Sequence, residues 1–310
     1  MRITIEKVAI SEVEQLALLA NEIWSEHYGS IFGVLQTQTL IENLQNKDAI
    51  LKEMDGGYIY CFVKLKNHVV GYFNYIENKD ELYCGKIYLL KNFRGLGLGK
   101  EVFSKIEQTA ILLGKKEFRL SANSSSESTI KFCTTQGMKI DKTEINTFCD
   151  IESVDFIMSK EICPVEKALK YFYQGYNCSQ AVVMGFATFF DIKPEHVISL
   201  GLAFGGGFAR TRNICGAMSG IGLVVSHVKG TTSPDAKDEI YEIVRTLSAK
   251  FEEINSSILC GEILKNVKDI TTTPKSDART EEYYSKRPCA KVVENASDIL
   301  LEYLKSEMIS

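Results

Sequence analysis

Strand-like alternation fills the first half of this sequence and stops near residue 163, and that change of period constrains the architecture more than any other feature. Apolar and polar residues alternate in "RITIEKV", in "GYIYCFVKL" and "VVGYFNYI" around the turn "KNH", in "KEFRLSA", and in the closing pair "TEINTFCDI" and "VDFIMSK". That is the period of half-buried strands. Helical stretches lie among them, notably "SEVEQLALLANEIWSEHYG" behind Ser11 and "SESTIKFCTTQG". Beyond the junction "SKEICP", the apolar segments run with helical spacing, from "PVEKALKYFYQG" and "CSQAVVMGFATFF" to "CAKVVENASDILLEYLKSEM". Several open on Pro or Asn, residues that belong to helix starts. The pattern predicts an α/β unit built on a mainly antiparallel sheet over residues 1–161, followed by an all-α unit over residues 164–310. A chain of 310 residues, 45% hydrophobic, has the apolar content for both cores, at roughly 150 residues per domain.

Composition narrows the function classes. A net charge of −4 with dispersed basic residues gives no support for a nucleic-acid surface. No apolar run approaches the roughly 20 residues a membrane helix needs. The start "MRITIEKVAISEVEQ" lacks the zones of a secretory signal, so a cytosolic, non-membrane protein is expected. Nine cysteines in such a chain are then poor candidates for a disulfide framework, because cytosolic thiols are kept reduced. Catalytic, redox or metal-bound thiols stand beside plain core packing.

The segment "RGLGLGK" is a candidate phosphate cradle, and spacing separates the possibilities. A Walker loop requires Gly at the position of Arg94 and Ser or Thr at Glu101. A dinucleotide fingerprint requires Gly where Lys100 stands and an opening parallel strand, whereas this turn follows an antiparallel hairpin. What remains is Arg94-x-x-Gly97-x-Gly99 between a strand and a helix. Small residues there let amides close on a pyrophosphate, which the helix dipole favours. A purely structural glycine turn is the alternative.

With the later "IKF...QGM", this turn resembles the GNAT superfamily of acetyl-CoA-dependent N-acetyltransferases over residues 1 to about 160. The resemblance implies that the backbone of Leu89, Leu90 and Lys91 binds the pantetheine arm of CoA. It implies that the amides from Arg94 through Gly95, Gly97 and Gly99 to Lys100 hold the pyrophosphate. Acetylation needs a base to free the amine and an acid for the departing thiolate. Glu81 and Tyr83 share a strand face by the two-residue period, which makes Glu81 a candidate base or a solvated strand end. Where the family usually has Phe-Tyr, this chain has Phe132-Cys133, so the usual acid is absent. Cys133 is a substitute donor or a buried core thiol. Tyr28 and Tyr88 are further candidates, and acceptor contacts are expected around Trp24, His27 and Tyr28.

Cys61, Cys84, Cys133, Cys149 and Cys163 obey no spacing rule and are assigned to packing. The other four share a context: Cys178 in "YNCSQAV", Cys215 in "NICGAM", Cys260 in "NSSILCGEI" and Cys289 in "RPCAKVV". Asn, Ser and Pro there place all four at or near helix N-termini, with Asn213 as the cap before Cys215. Unpaired amides at such positions lower a thiol pKa. None forms a Cys-x-x-Cys pair, so thioredoxin and zinc-ribbon motifs do not apply.

With "FGGGFART", these motifs resemble a family of redox-active proteins named for the pattern Cys, Gly-Cys-Ala or Cys-Gly-Ala-x-x-Gly, Cys, Cys, over about residues 164 to 305. The resemblance implies an all-helical domain centred on Cys178, Cys215, Cys260 and Cys289, as redox thiols or as ligands to an iron-sulfur cluster or zinc. Gly205, Gly206 and Gly207 beside them allow close backbone approach or form a plain loop. Arg210 and Arg212 are candidates to offset thiolate charge, and His227 reads as structural. The whole then reads as an acetyl-CoA-dependent N-acetyltransferase acting on an amine, fused to a redox or metal module with a possible redox partner. The rival reading is an acyl-CoA sensor joined to a structural metal module.

Overall fold

The computed structural model describes residues 3–148, 151–190, 192–268 and 270–309; Cys149 lies outside them. The chain divides into two compact units, Met1–Ile162 and Cys163–Ser310.

In the first unit the order is β1 (Ile3–Lys7), α1 (Val13–Phe32), α2 (Val34–Leu44), α3 (Lys47–Asp55), β2 (Ile59–Leu65), β3 (His68–Glu77), β4 (Glu81–Leu89), α4 (Leu98–Leu112), β5 (Glu117–Asn123), α5 (Glu127–Thr135), β6 (Lys139–Phe148) and β7 (Ile151–Glu161). The strands form one sheet in the order β1-β2-β3-β4-β5-β7-β6. Neighbours are antiparallel apart from β4 and β5, which run parallel. Lys66 and Asn67 turn the β2-β3 hairpin with φ of 50° and 68°, the geometry a two-residue hairpin requires.

One sheet face packs on α1 and α3: Val13, Leu16, Ala20 and Ile23 of α1 and Ile50 of α3 meet Tyr60, Phe62 and Tyr72. The i, i+3, i+4 spacing of those α1 residues is the amphipathic stripe that drives the helix onto the sheet. Each such burial contributes about 1.5–3 kcal/mol. Across the sheet, Phe103 of α4 sits 4.9 Å, ring to ring, from Phe118 of β5. Helices α2 and α3 were not expected from the sequence. The latter is nine residues long and buries only Ile50, and Asn46 starts it by accepting from the Ala49 amide at 2.7 Å.

The second unit is helical: α6 (Pro164–Tyr173), α7 (Cys178–Gly185), α8 (Pro194–Leu200), α9 (Gly216–Lys229), α10 (Lys237–Asn255), α11 (Cys260–Ile263), α12 (Glu281–Lys286) and α13 (Cys289–Ile309). From Ser179 to Gly185, α7 is buried on every side, the mark of a central helix, and α6, α8, α9 and α13 pack around it. Among the described residues, no helix of either unit is long and apolar enough to cross a membrane.

Candidate functional sites

In the first unit the sheet parts. Strands β4 and β5 pair from Glu81 with Glu117 to Cys84 with Leu120, and no pairing follows. Against β3, Tyr83 faces Ile76 and Lys86 faces Asn74, so Cys84 and Gly85 stand opposite Tyr75 alone. This is a β-bulge, which bends the strand and ends its pairing. Past it β4 runs on to Leu89 with one edge free. The gap is a cavity of about 500 Å³, walled by β4, the end of β5, and the residues of α5 around Phe132 and Cys133.

The glycine turn opens onto the same cavity. Gly95 and Gly97 have φ of 76° and 82°, and the space where their Cβ atoms would stand is empty. Glycine alone adopts this backbone without strain. Among the described residues the amides of Gly95, Leu96 and Gly97 have no backbone acceptor, and those of Leu98 and Gly99 belong to the open first turn of α4. A helix N-terminus in this state is an anion site. Leu89, Arg94, Gly95, Gly97, Gly99 and Lys100 all line the cavity. Arg94 donates through Nε to the Leu89 carbonyl at 2.8 Å and pairs with Glu26 at 2.8 Å.

The candidate catalytic groups are spread. Glu81 stands at the paired end of β4, ion-paired with Arg119 at 3.1 Å and hydrogen-bonded by Asn78 at 2.9 Å, and it is not among the cavity-lining residues. Tyr83 is likewise not among the cavity-lining residues; it lies within hydrogen-bonding reach of Ser121, and burial pushes its phenol up to about 12. Cys133 is on the wall, 3% exposed, and burial pushes its thiol up to about 11. Both therefore hold their protons at neutral pH. His27 also lines the cavity; burial, then the Arg94 guanidinium, pull its pKa below the usual 6.5, so the imidazole is neutral there. The Tyr28 and Tyr88 hydroxyls share a 2.9 Å hydrogen bond, and Trp24 donates to Tyr72 at 3.1 Å. Sequence reasoning missed Lys86, another wall residue, which binds both oxygens of Glu53 at 2.7 and 2.9 Å. No local signal in the chain links positions 53 and 86.

In the second unit the four cysteines all start helices. Cys178 follows Asn177, whose side chain accepts from the Gln180 amide at 2.9 Å in a capping box. Cys260 and Cys289 are the first residues of α11 and α13. Cys215 is itself the N-cap of α9, correcting the expectation that Asn213 caps it. Asn213 instead accepts the Cys260 amide at 2.8 Å, while Cys215 donates its own to Ile258 at 2.8 Å. An isolated antiparallel bridge between Ile214 and Leu259 thus brings Cys215 beside Cys260.

The thiols act on one another electrostatically, and Cys178 lies within hydrogen-bonding reach of Cys289, placed as the donor. That contact raises Cys178, helped by burial. Burial raises Cys260 against the pull of Arg212, and Cys215 to about 12. Cys289 goes down, through the Cys178 contact and then Arg287, Arg279 and Arg212. The lowering expected at helix starts is therefore seen at one site of four, Cys289, where the Cys178 thiol and three guanidiniums act together; at Cys260 desolvation wins even with Arg212 beside it. Cys178 and Cys289 are half-buried, Cys215 and Cys260 buried.

The arginines form a frame around this centre. Arg210 makes a bidentate pair with Asp277 at 3.1 Å and 3.1 Å, and Arg287 binds the same carboxylate at 2.9 Å. Arg212 bonds the Thr271 carbonyl and lies 3.9 Å from the Cys260 sulfur. Arg279 rests over the rings of Phe172 and Tyr283 at 5.0 and 4.4 Å. Arg212 Nε and Arg279 Nη1 are buried with no hydrogen-bond partner among the described residues. The run that delivers Arg210 and Arg212 is left-handed, with φ of 65°, 72°, 58°, 49° and 68° from Gly206 to Arg210 and 66° at Arg212. Non-glycine residues so placed cost on the order of 1 kcal/mol or more each. His227 stacks on Phe190, 4.4 Å between rings, a structural role. Among the described residues no three or more of His, Cys, Asp and Glu are placed to hold a metal ion.

Comparison with known proteins agrees with this division. Residues 18–138 match the model of the "Acetyltransferase (GNAT) family", and residues 176–303 match that described as "Putative redox-active protein (C_GCAxxG_C_C)". The chain is 25% identical over 170 residues to a spermidine N(1)-acetyltransferase of Thermoplasma acidophilum, covering 52% of this chain and 98% of that protein. It is 22% identical over 169 residues to an uncharacterized N-acetyltransferase of Lactobacillus delbrueckii subsp. lactis, with the same coverage of 52% and 98%. Among solved structures, the PaiA N-acetyltransferase from Thermoplasma acidophilum in complex with coenzyme A is 21% identical, with a TM-score of 0.45 over 52% of this chain and 99% of that one. The chain thus carries a GNAT acetyltransferase domain followed by a domain of the second family.

Proposed function

We propose that the first unit transfers the acetyl group of acetyl-CoA to an amine, and that the second is a redox-active thiol centre. The observation that carries the first reading is the coincidence of two features on one cavity: the parted strands and the open-amide glycine turn. In this reading the turn from Arg94 to Lys100 holds the pyrophosphate, and the free edge of β4 up to Leu89 holds the pantetheine arm. Arg94 takes one lone pair of the Leu89 carbonyl, which leaves the other for a donor from the coenzyme. The amine nitrogen attacks the thioester carbonyl, and CoA leaves as its thiol. Holding both reactants in one cleft supplies much of the rate.

Of the groups on the cavity wall, His27 has a lone pair available at neutral pH, which suits it to accept the amine proton directly or through water. Cys133, protonated on the same wall, suits the return of a proton to CoA. The pH dependence follows. His27 acts when neutral, and its pKa lies below 6.5, so kcat/KM is expected to be full above pH 6.5 and to fall as the pH drops through the lowered pKa. His27→Gln should lower kcat by about 100-fold and remove that acid limb. An unchanged acid limb in the variant would count against His27.

The similarity to a spermidine N(1)-acetyltransferase makes polyamines the first acceptors to assay. Acetyl-CoA binding by calorimetry without CoA release for any of a panel of small amines and polyamines would favour a sensor instead. For the second unit, anaerobic purification followed by metal, sulfide and thiol analysis tests the thiol reading. Titratable thiols at Cys178, Cys215, Cys260 and Cys289, without stoichiometric metal, are expected.

A further inference from the structure

The four cysteines are of two kinds. Cys215 and Cys260 are buried and locked together by the Ile214-Leu259 bridge. Cys178 and Cys289 are partly exposed, start the packed helices α7 and α13, and lie within hydrogen-bonding reach of each other. Three guanidiniums, from Arg212, Arg279 and Arg287, act on Cys289. The carboxylate beside them, Asp277, is already taken by Arg210 and Arg287. Two buried donors, Arg212 Nε and Arg279 Nη1, have no acceptor, and a buried donor left unpaired costs about 1–3 kcal/mol. A left-handed backbone run holds Arg212 in place at a further cost. Cationic donors kept unsatisfied beside an accessible dithiol describe a site built for an incoming anion that carries sulfur chemistry.

Resting on the reading of this unit as a redox thiol centre, we propose that Cys178 and Cys289 form a dithiol that reduces a small anionic disulfide, with Cys289 attacking and Arg212 and Arg279 binding the anionic groups of the substrate. The Cys289 thiolate attacks one sulfur of RS–SR, the bond between the two substrate sulfurs breaks, and RS⁻ leaves. That RS⁻ takes the Cys178 proton and departs as RSH. The Cys178 sulfur then attacks Cys289 Sγ, forming the protein disulfide and releasing the second RS⁻. Two electrons pass from the protein pair to the substrate. Cys215 and Cys260 take no part in the exchange and hold the frame.

The test uses the full-length, reduced protein under anaerobic conditions with three disulfides of different charge: glutathione disulfide, neutral hydroxyethyl disulfide and dicationic cystamine. Glutathione disulfide is expected to oxidise the pair about tenfold faster than hydroxyethyl disulfide, with cystamine slowest, as electrostatic recruitment dictates. High salt should narrow the gap. Peptide mass spectrometry should find a Cys178–Cys289 disulfide, and in Cys178→Ser a mixed disulfide on Cys289. Arg279→Gln should slow all three reagents, because Arg279 also acts on the Cys289 thiol, and should narrow the glutathione-to-hydroxyethyl rate ratio from about tenfold to about twofold. If that variant fails to fold, the charge series on the unaltered protein decides alone. Equal rates for the three reagents would overturn the anionic preference while leaving a redox dithiol in place. A disulfide between other cysteines would overturn the assigned pair, and no intramolecular disulfide with any reagent would overturn the redox reading itself.

Discussion

Gly97→Asp is expected to weaken acetyl-CoA binding by about 100-fold, close to 3 kcal/mol, while leaving the far-ultraviolet circular dichroism unchanged. Two effects add. Gly97 holds φ at 82°, and a side chain in that region costs roughly 1 kcal/mol. The larger effect is charge. The position faces empty space in front of the open amides of the turn, so an aspartate would put a carboxylate where the pyrophosphate is proposed to sit, and satisfy the same donors. Isothermal calorimetry against the unaltered protein measures it. Affinity within threefold of wild type would mean that the turn does not carry the phosphate.

Gly207→Ala is expected to destabilise the second unit by roughly 3 kcal/mol or more and lower its melting midpoint by on the order of 10 °C. Gly207 has φ of 72°, and a Cβ added there would lie 2.7 Å from both the Asn213 carbonyl oxygen and Cys260 Cβ, and 2.8 Å from the Asn213 amide. Two of these are main-chain atoms and the third is a Cβ fixed to the main chain, all on residues flanking the Ile214-Leu259 bridge, so relief requires moving that bridge. The accompanying sign would be faster alkylation of Cys215 and Cys260, both buried in the native unit. Differential scanning calorimetry and timed iodoacetamide labelling read the two effects. An unchanged midpoint would show that the left-handed run yields easily.

Much of the architecture was legible because it rests on periodicity. The alternating strands, the long stripe of α1 and the loss of strand signal near residue 163 all follow from which residues must be buried. The glycine turn and the four cysteines were legible because their residue types are positional: glycine for positive φ, Asn177 for a cap. What stayed hidden depends on contacts distant in sequence. Glu81 and Tyr83 do share a strand period, but where β4 parts from β5 is set by the register with Glu117–Leu120, and Glu81 falls on the paired side. The rise in the Cys215 pKa depends on how completely the surrounding helices cover it. Arg279, ten residues before Cys289, acts on it only because the fold brings it back over Phe172 and Tyr283. Arg287 stood in plain view in "RPC", two residues from the thiol.

Cys178 and Cys289, within hydrogen-bonding reach of each other, stand in the first turns of α7 and α13, the two ends of a stretch containing α8 through α12. A covalent bond at that place would turn an open chain into a ring of roughly a hundred residues, and such a constraint removes about 4–5 kcal/mol of unfolded-state entropy. Oxidation of this pair would then be felt as resistance to unfolding. By the same thermodynamic cycle, a well-folded second unit would favour the oxidised couple, drawing its reduction potential downward by about 30 mV for each 1.4 kcal/mol gained.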